Sequence, residues 1–260
     1  MKNTFIKTAL IAVIAFVITS CSKNDDEKIS GQGNLGVEFD NVFGTADLIL
    51  NSQSNVTSQS ETLKISSVKY IISNIVLTKE DGTTYTYPKS QSYFIVDESE
   101  EATHLLELSA IPAGNYTKIK FGIGVDQSQW DLGETNQGDF LTIAQNNSMF
   151  IDSNFGYKFI SMDGKFTSST NTTETAFKLQ TNKTNSAYNY TEVTLPFPDL
   201  ALVRTTITPE IHVFADVSKI IDGTHKMKFS DNPIIIDGDN LSLMTQNLAT
   251  MFSVAHVHND

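Results

Sequence analysis

The 260-residue chain has one cysteine, Cys21, and one arginine, Arg204. A single cysteine excludes an intrachain disulfide and any multi-cysteine zinc site. A single arginine removes the guanidinium forks that grip phosphates and carboxylates. Basic residues are scarce overall, 18 Lys+Arg against 30 Asp+Glu, for a formal charge of −12. Duplex nucleic acid needs a basic face, so this balance excludes it as a partner. Catalytic phrases are missing too. No G-x-S-x-G, H-E-x-x-H or Walker A occurs, and the chain reads as a non-enzyme. Gly122-Ile123-Gly124 lies inside a strand pattern rather than before a helix, so it is no dinucleotide loop. The acid pair Glu100-Glu101 reads as solvated surface. What remains is a globular composition, 40% hydrophobic and 10% aromatic, too apolar for general disorder.

Residues 1–20 carry Lys2 and Lys7 and then an apolar run from Ala9 to Ile18. That is the plan of a secretory signal peptide, and the run is shorter than the ~20 residues of a membrane span. Ile18-Thr19-Ser20-Cys21 resembles a bacterial lipobox. The resemblance implies cleavage before Cys21 and lipid attachment there. The acidic run in Ser22-Lys23-Asn24-Asp25-Asp26-Glu27-Lys28 resembles the export signal of Bacteroidetes surface lipoproteins. The expected location is the bacterial envelope, lipid-anchored, on the outer membrane and facing outward. Residues 21–34, with Gly31 and Gly33, read as a lipidated flexible tether, and residues 35–260 as one domain.

The body of the chain alternates apolar and polar residues in short runs rich in Val, Ile, Thr, Phe and Tyr. Val37 and Phe39 share one parity, as do Leu48 and Leu50, Leu63 and Ile65, and Tyr85 and Tyr87. Tyr70-Ile71-Ile72 and Tyr93-Phe94-Ile95-Val96 are continuous apolar stretches. Asp81-Gly82 and Asp163-Gly164 read as hairpin turns. About ten such strands predict an all-β fold, an antiparallel β-sandwich. One short C-terminal helix is expected over residues 240–252, where Leu241, Met244, Leu248 and Met251 have helical spacing and Asn240 is placed to cap. Asp237-Gly238-Asp239-Asn240 lacks EF-hand spacing and reads as part of that capping.

Six phrases, in order, resemble the MbnP-like copper-binding domain family. They are Val37-Glu38-Phe39-Asp40-Asn41-Val42-Phe43-Gly44; Tyr70-Ile71-Ile72-Ser73-Asn74-Ile75-Val76-Leu77 with Asp81-Gly82; residues 111–126; residues 156–166; residues 193–198; and residues 251–258. The resemblance spans about 35–260 and implies a copper-binding protein. Family members use histidines and an oxidised tryptophan for the metal. The matching positions here hold Asn41 and Gln180, and the stretch 149–155 has no tryptophan. The chain's one tryptophan, Trp130, falls in a polar segment read as a loop. These departures make the inherited site degenerate, since neutral amides are poor partners for a soft or borderline metal.

The residues themselves offer one other metal candidate, His256-Val257-His258. Side chains at i and i+2 of a strand share a face, so both imidazoles reach one ion, copper or zinc by ligand type. Two nitrogens need a third ligand, for which His212, His104, Met251 and Asp260 are the candidates. His212, between Ile211 and Val213, also reads as an ordinary strand residue, and His225 as a turn residue. The alternative function is a non-metal surface module for protein or glycan contact, built on the same scaffold. Expected partners are therefore the membrane, through lipid on Cys21, and a metal ion.

Overall fold

The computed structural model describes residues 29–260. The segment read as a signal peptide, Cys21 and the first part of the segment read as a tether lie outside the described residues. In chain order the first strands are β1 (Gln32–Phe43), β2 (Ala46–Asp47), β3 (Asn55–Val56), β4 (Thr62–Lys79) and β5 (Thr84–Thr86). Next come β6 (Tyr93–Asp97), β7 (Leu105–Pro112), β8 (Gly114–Ile123), β9 (Phe150–Asp152) and β10 (Gly156–Thr167). The last are β11 (Thr175–Asn182), β12 (Thr191–Val203), β13 (Pro209–Asp216), β14 (Ile234–Ile235) and β15 (Phe252–Asn259). Four short helices interrupt them: α1 (Gln127–Trp130), α2 (Asp139–Asn146), α3 (Lys219–Asp222) and α4 (Asn240–Leu248).

The strands form two sheets packed as the expected sandwich. The smaller runs β15-β13-β1-β2, with β7 also paired to β1. The larger runs β12-β8-β4-β10-β11-β14, with β3, β5 and β6 on β4 and β9 on β10. The sheets are mixed, because β1 pairs with β13 and β11 with β14 in parallel. Phe39 of the small sheet meets Tyr70 and Phe121 of the large one edge-to-face, at 6.0 and 5.7 Å between ring centroids. Phe252 closes the group at 5.2 Å from Phe121. Edge-to-face rings add about 0.5–1.5 kcal/mol per pair beyond their burial.

The apolar stretch Tyr70-Ile71-Ile72 is explained by burial on both faces of β4. Tyr70 and Ile72 enter the core between the sheets. Ile71 enters a second cluster with Trp130, Phe140, Tyr157 and Phe159, under the α1–α2 segment. Trp130 is thus a buried helix residue, not a loop residue. Its ring lies 5.8 Å from Tyr157 and 6.3 Å from Phe150, so it packs against the 149–155 stretch from which a tryptophan is missing.

Several expectations shift in detail. The first strand starts at Gln32, inside the segment read as tether, because Gln32 and Gly33 pair with Pro112 and Ile111. Leu48 and Leu50 lie outside any strand. Asp163-Gly164 makes no turn: β10 runs through it with a register shift against β4. An added Cβ at Gly164 would come within 2.4 Å of the Lys64 carbonyl, so this glycine serves close strand approach rather than reversal. The C-terminal helix ends at Leu248 and its N-cap is Asp239, with no side-chain cap, so neither Asn240 nor the Asp237–Asn240 phrase performs the capping read into it. At Ser73-Asn74 the β4 strand continues, but its pairing with β8 is irregular. Ser73 Oγ donates to the Gly124 carbonyl at 2.6 Å, Asn74 adopts φ 52°, and the β4–β8 register shifts there.

Candidate metal centre

The site lies on the outer face of the small sheet, where β1, β13 and β15 run side by side. Alternation turns Val37 and Phe39, Ile211 and Val213 inward, which sends Glu38 and Asp40, Glu210 and His212 outward. Register then aligns them in rows. His212 stands opposite Glu38 on one side and His256 on the other. Glu210 stands opposite His258 on β15 and Gly36 on β1. Directly opposite residues have Cβ atoms about 4.5–5.5 Å apart, close enough for their side chains to meet.

A bulge in β15 decides which way its histidines point. Val213 faces Val254 while His212 faces His256, so Ala255 is an extra residue. Val254 is packed against the core. Unbroken alternation from Val254 would send His256 and His258 inward as well. The extra residue restores both to the outer face, a known use of bulges to re-aim side chains.

The three imidazoles form one group. His212 stacks on His256 at 4.3 Å between centroids, and His258 meets them edge-on at 5.2 and 4.6 Å. One ring nitrogen from each lies within 4.8 Å of the others. Nitrogens bound to one ion at 2.0–2.1 Å are about 3.3 Å apart, so small rotations of the exposed His256 and His258 rings would bring the set to coordination distance. His212 is the anchored member. Its Nδ1 lies 2.8 Å from Glu38 and 3.5 Å from Asp40, and its Nε2 2.9 Å from Glu210.

The electrostatics of this face favour a cation. Burial pushes the Glu38 carboxyl above its ordinary value; His212 pulls against that, while Asp40 and Glu210 push the same way. The His256 imidazole is held below 6.5, first by lost solvation and then by its neighbours His212 and His258. It therefore stays neutral, with a lone pair available, to lower pH than a free imidazole.

Of the third-ligand candidates, the sheet brings His212 to the pair and leaves the rest apart. His104 bonds to the Asp97 carbonyl and sits 3.8 Å from Glu98. Met251 is buried in the core. Asp260 uses its backbone carbonyl to accept from Thr208 and is not in the histidine group. His225 is bonded to Gln246 near α4. Glu38, Asp40 and Glu210 were not legible as site residues; the signal was their alternation with core residues on strands of unknown pairing.

The positions implicated by the family resemblance lie elsewhere. Asn41 donates to Glu98 and accepts from the Tyr70 hydroxyl. Gln180 lines a recess of about 630 Å³ with Ile151, Asp152, Phe155 and Asn182 on the large sheet, and no histidine, cysteine or methionine lines it. Two of the three implicated positions are thus neighbours, with no soft or imidazole ligand between them. No described helix is long and apolar enough to cross a membrane.

Comparison with known proteins gives a family match. The family model described as MbnP matches residues 32–240. Among solved structures, MbnP from Methylosinus trichosporium aligns with a TM-score of 0.45 and 10% identity, over 79% of this chain and 81% of that chain. No curated protein matches.

Proposed function

The chain belongs to the MbnP family, and on that premise we propose that it is a metal-binding protein, not an enzyme, with His212, His256 and His258 as ligands and copper as the ion the resemblance implies. The observation that carries the reading is the convergence of three imidazoles from two adjacent strands on one exposed face. Three protein ligands with room for a fourth is the minimum for a firm site, and imidazole suits copper and zinc. The ion would supply a positive charge among Glu38, Asp40 and Glu210, where among the described residues only His212 pairs with them.

The test is a copper titration of the purified protein beside His256→Ala and His258→Ala. Each variant is expected to bind roughly 10–100-fold more weakly, by analogy with other lost site contacts. Lowering the pH should weaken binding as ligands take up protons. Because the His256 value is lowered, its share of that loss falls below pH 6.5 rather than at it. Equal binding by all three proteins would remove the ligand assignment. One observation favours the second reading, a non-metal surface module: His212 already has both ring nitrogens beside carboxylates. No binding by the parent would move the protein to that class.

The proposal places this site outside a membrane, anchored through lipid on Cys21. Cys21→Ala is expected to shift the protein from the membrane fraction to the soluble one, since each buried CH₂ of an acyl chain contributes about 0.8 kcal/mol of anchoring. Retention in the membrane fraction after signal cleavage would rule out the anchor.

A further inference from the structure

We infer that Glu210 is the fourth ligand of this site, and that the completed His3Glu set selects a divalent ion, Cu(II) or Zn(II), over Cu(I). The inference rests on the three-histidine reading and concerns what completes it.

The four side chains occupy a two-by-two block on adjacent strands. His212 faces His256, and one step along the ladder Glu210 faces His258. All four emerge on the same side of the sheet. Within the block, His212 Nε2 and Glu210 Oε1 are already 2.9 Å apart. Two ligand atoms bound at 2.0–2.1 Å and at right angles to one another are about 2.9 Å apart, so this pair is spaced as neighbours on one ion. Glu38 contacts the other ring nitrogen, Nδ1, at 2.8 Å, and its carboxylate also lies against that of Glu210. There it holds the ring from behind, the arrangement in which a carboxylate orients a ligating imidazole. On this reading Glu210, at Nε2, is the ligand, and Glu38, at Nδ1, is the positioning residue. Gly36 leaves room beside Glu210: a Cβ there would lie 3.1 Å from Leu105 Cδ1 and 3.2 Å from Glu210 Cγ, a tight contact.

Ligand softness then sets the valence. Cu(I) prefers thiolate and thioether donors, while a carboxylate oxygen favours a harder divalent ion. This face has no sulfur ligand to offer: Met251 is 1% exposed and packed in the core. Three nitrogens and one oxygen match Cu(II) first and Zn(II) next in the general affinity order of divalent ions.

The experiment compares the purified parent with Glu210→Gln and Glu38→Gln, titrated with Cu(II), Zn(II) and, anaerobically, Cu(I) against a chromophoric competitor. The expected result is a loss of roughly 10–100-fold for both divalent ions in Glu210→Gln, with Cu(I) binding unchanged. Glu210→Asp, which keeps the carboxylate, should recover part of that loss. Glu38→Gln should weaken all three ions together, because it acts through the orientation of His212. Unfolding temperatures of the metal-free variants, taken in parallel, should match the parent, because Glu210 is on the surface. Divalent binding by Glu210→Gln equal to the parent, or tighter binding of Cu(I) than of Cu(II) by the parent, would overturn the fourth-ligand assignment while leaving the three-histidine site standing. Failure of the parent to bind any of the three ions would remove both.

Discussion

His212→Ala is expected to lower metal affinity by roughly 100-fold or more while leaving the fold almost as stable as before. The two effects separate because His212 has two kinds of neighbour. Toward β15 it offers the middle imidazole of the group, 4.3 Å from His256 and 5.2 Å from His258 between ring centroids. Removing it leaves the exposed i, i+2 pair, which has two nitrogens and no anchored member; two-nitrogen sites are weak. It also disconnects Glu38 and Asp40, whose contacts to Nδ1 at 2.8 and 3.5 Å orient the imidazole from outside. For these two reasons the loss should exceed that of His256→Ala or His258→Ala. The other contacts of His212 are to carboxylates of β1 and of its own strand that are 32–39% exposed. Pairs at that exposure contribute about 0–1 kcal/mol after solvent screening. The measurement is a metal titration of His212→Ala with a thermal melt of the metal-free protein beside it. Affinity within a few-fold of the parent would displace His212 from the site. A collapse in melting temperature would make it a structural residue instead.

Asp126→Ala should give the opposite pattern, a large loss of stability with the metal face intact. Asp126 is 14% exposed and accepts from five donors. Lys89 Nζ bonds at 2.8 Å, Ser128 Oγ lies close, and the Gln129 amide caps α1 at 3.1 Å, all on one oxygen. Asn74 Nδ2 and the Tyr93 hydroxyl each bond to the other oxygen at 2.8 Å. The carboxylate therefore ties together the irregular turn of β4, the start of β6 and the helix that carries Trp130. Losing the acceptor leaves partly buried donors without a partner and costs about 2–4 kcal/mol, discounting Lys89, which is half exposed. For a domain of this size that is a fall in melting temperature of roughly 5–15 °C.

The pH dependence carries a definite sign. Burial alone would raise the Asp126 value, but the hydrogen bonds from Lys89, Ser128, Asn74 and Tyr93 outweigh it and hold the carboxyl far below 3.8. A lowered acid contributes its full stabilisation above the unfolded value, and loses it as pH falls toward the folded one. The gap between parent and variant should be full at neutral pH and start to close below about 3.8. A gap that stays constant down to pH 2 would show that the carboxylate charge is not what holds these elements.

The contrast between the two residues shows where local sequence is informative. Alternation in Val37 and Phe39, or in Ile211 and Val213, is a property of adjacent positions and needs no knowledge of partners. The same holds for the shared face of His256 and His258. By itself the sequence established a β-sandwich body, a lipobox-like phrase at Cys21, an acidic net charge, and a close histidine pair. The signal phrase and the cysteine precede the described residues and stand on the sequence alone.

The tertiary structure decided everything that depends on which strands are neighbours. His212 is one of four candidate third ligands until β13 is placed against β15, and Glu38 is remote until β1 pairs in parallel with β13 about 170 positions later. Parallel pairing across that distance has no hairpin turn to announce it, and its register is set by packing of the inner faces rather than by any residue of the site. The bulge at Ala255 is equally silent, because an extra residue changes parity without changing composition. Trp130 was misplaced for a related reason: its polar neighbours describe the surface of the segment, while its burial depends on Phe150 and Tyr157 folding over it. Periodicity is carried by bonds along the chain, whereas a site made of cross-strand neighbours exists only once non-local contacts have offset the entropy of closing the loops between them.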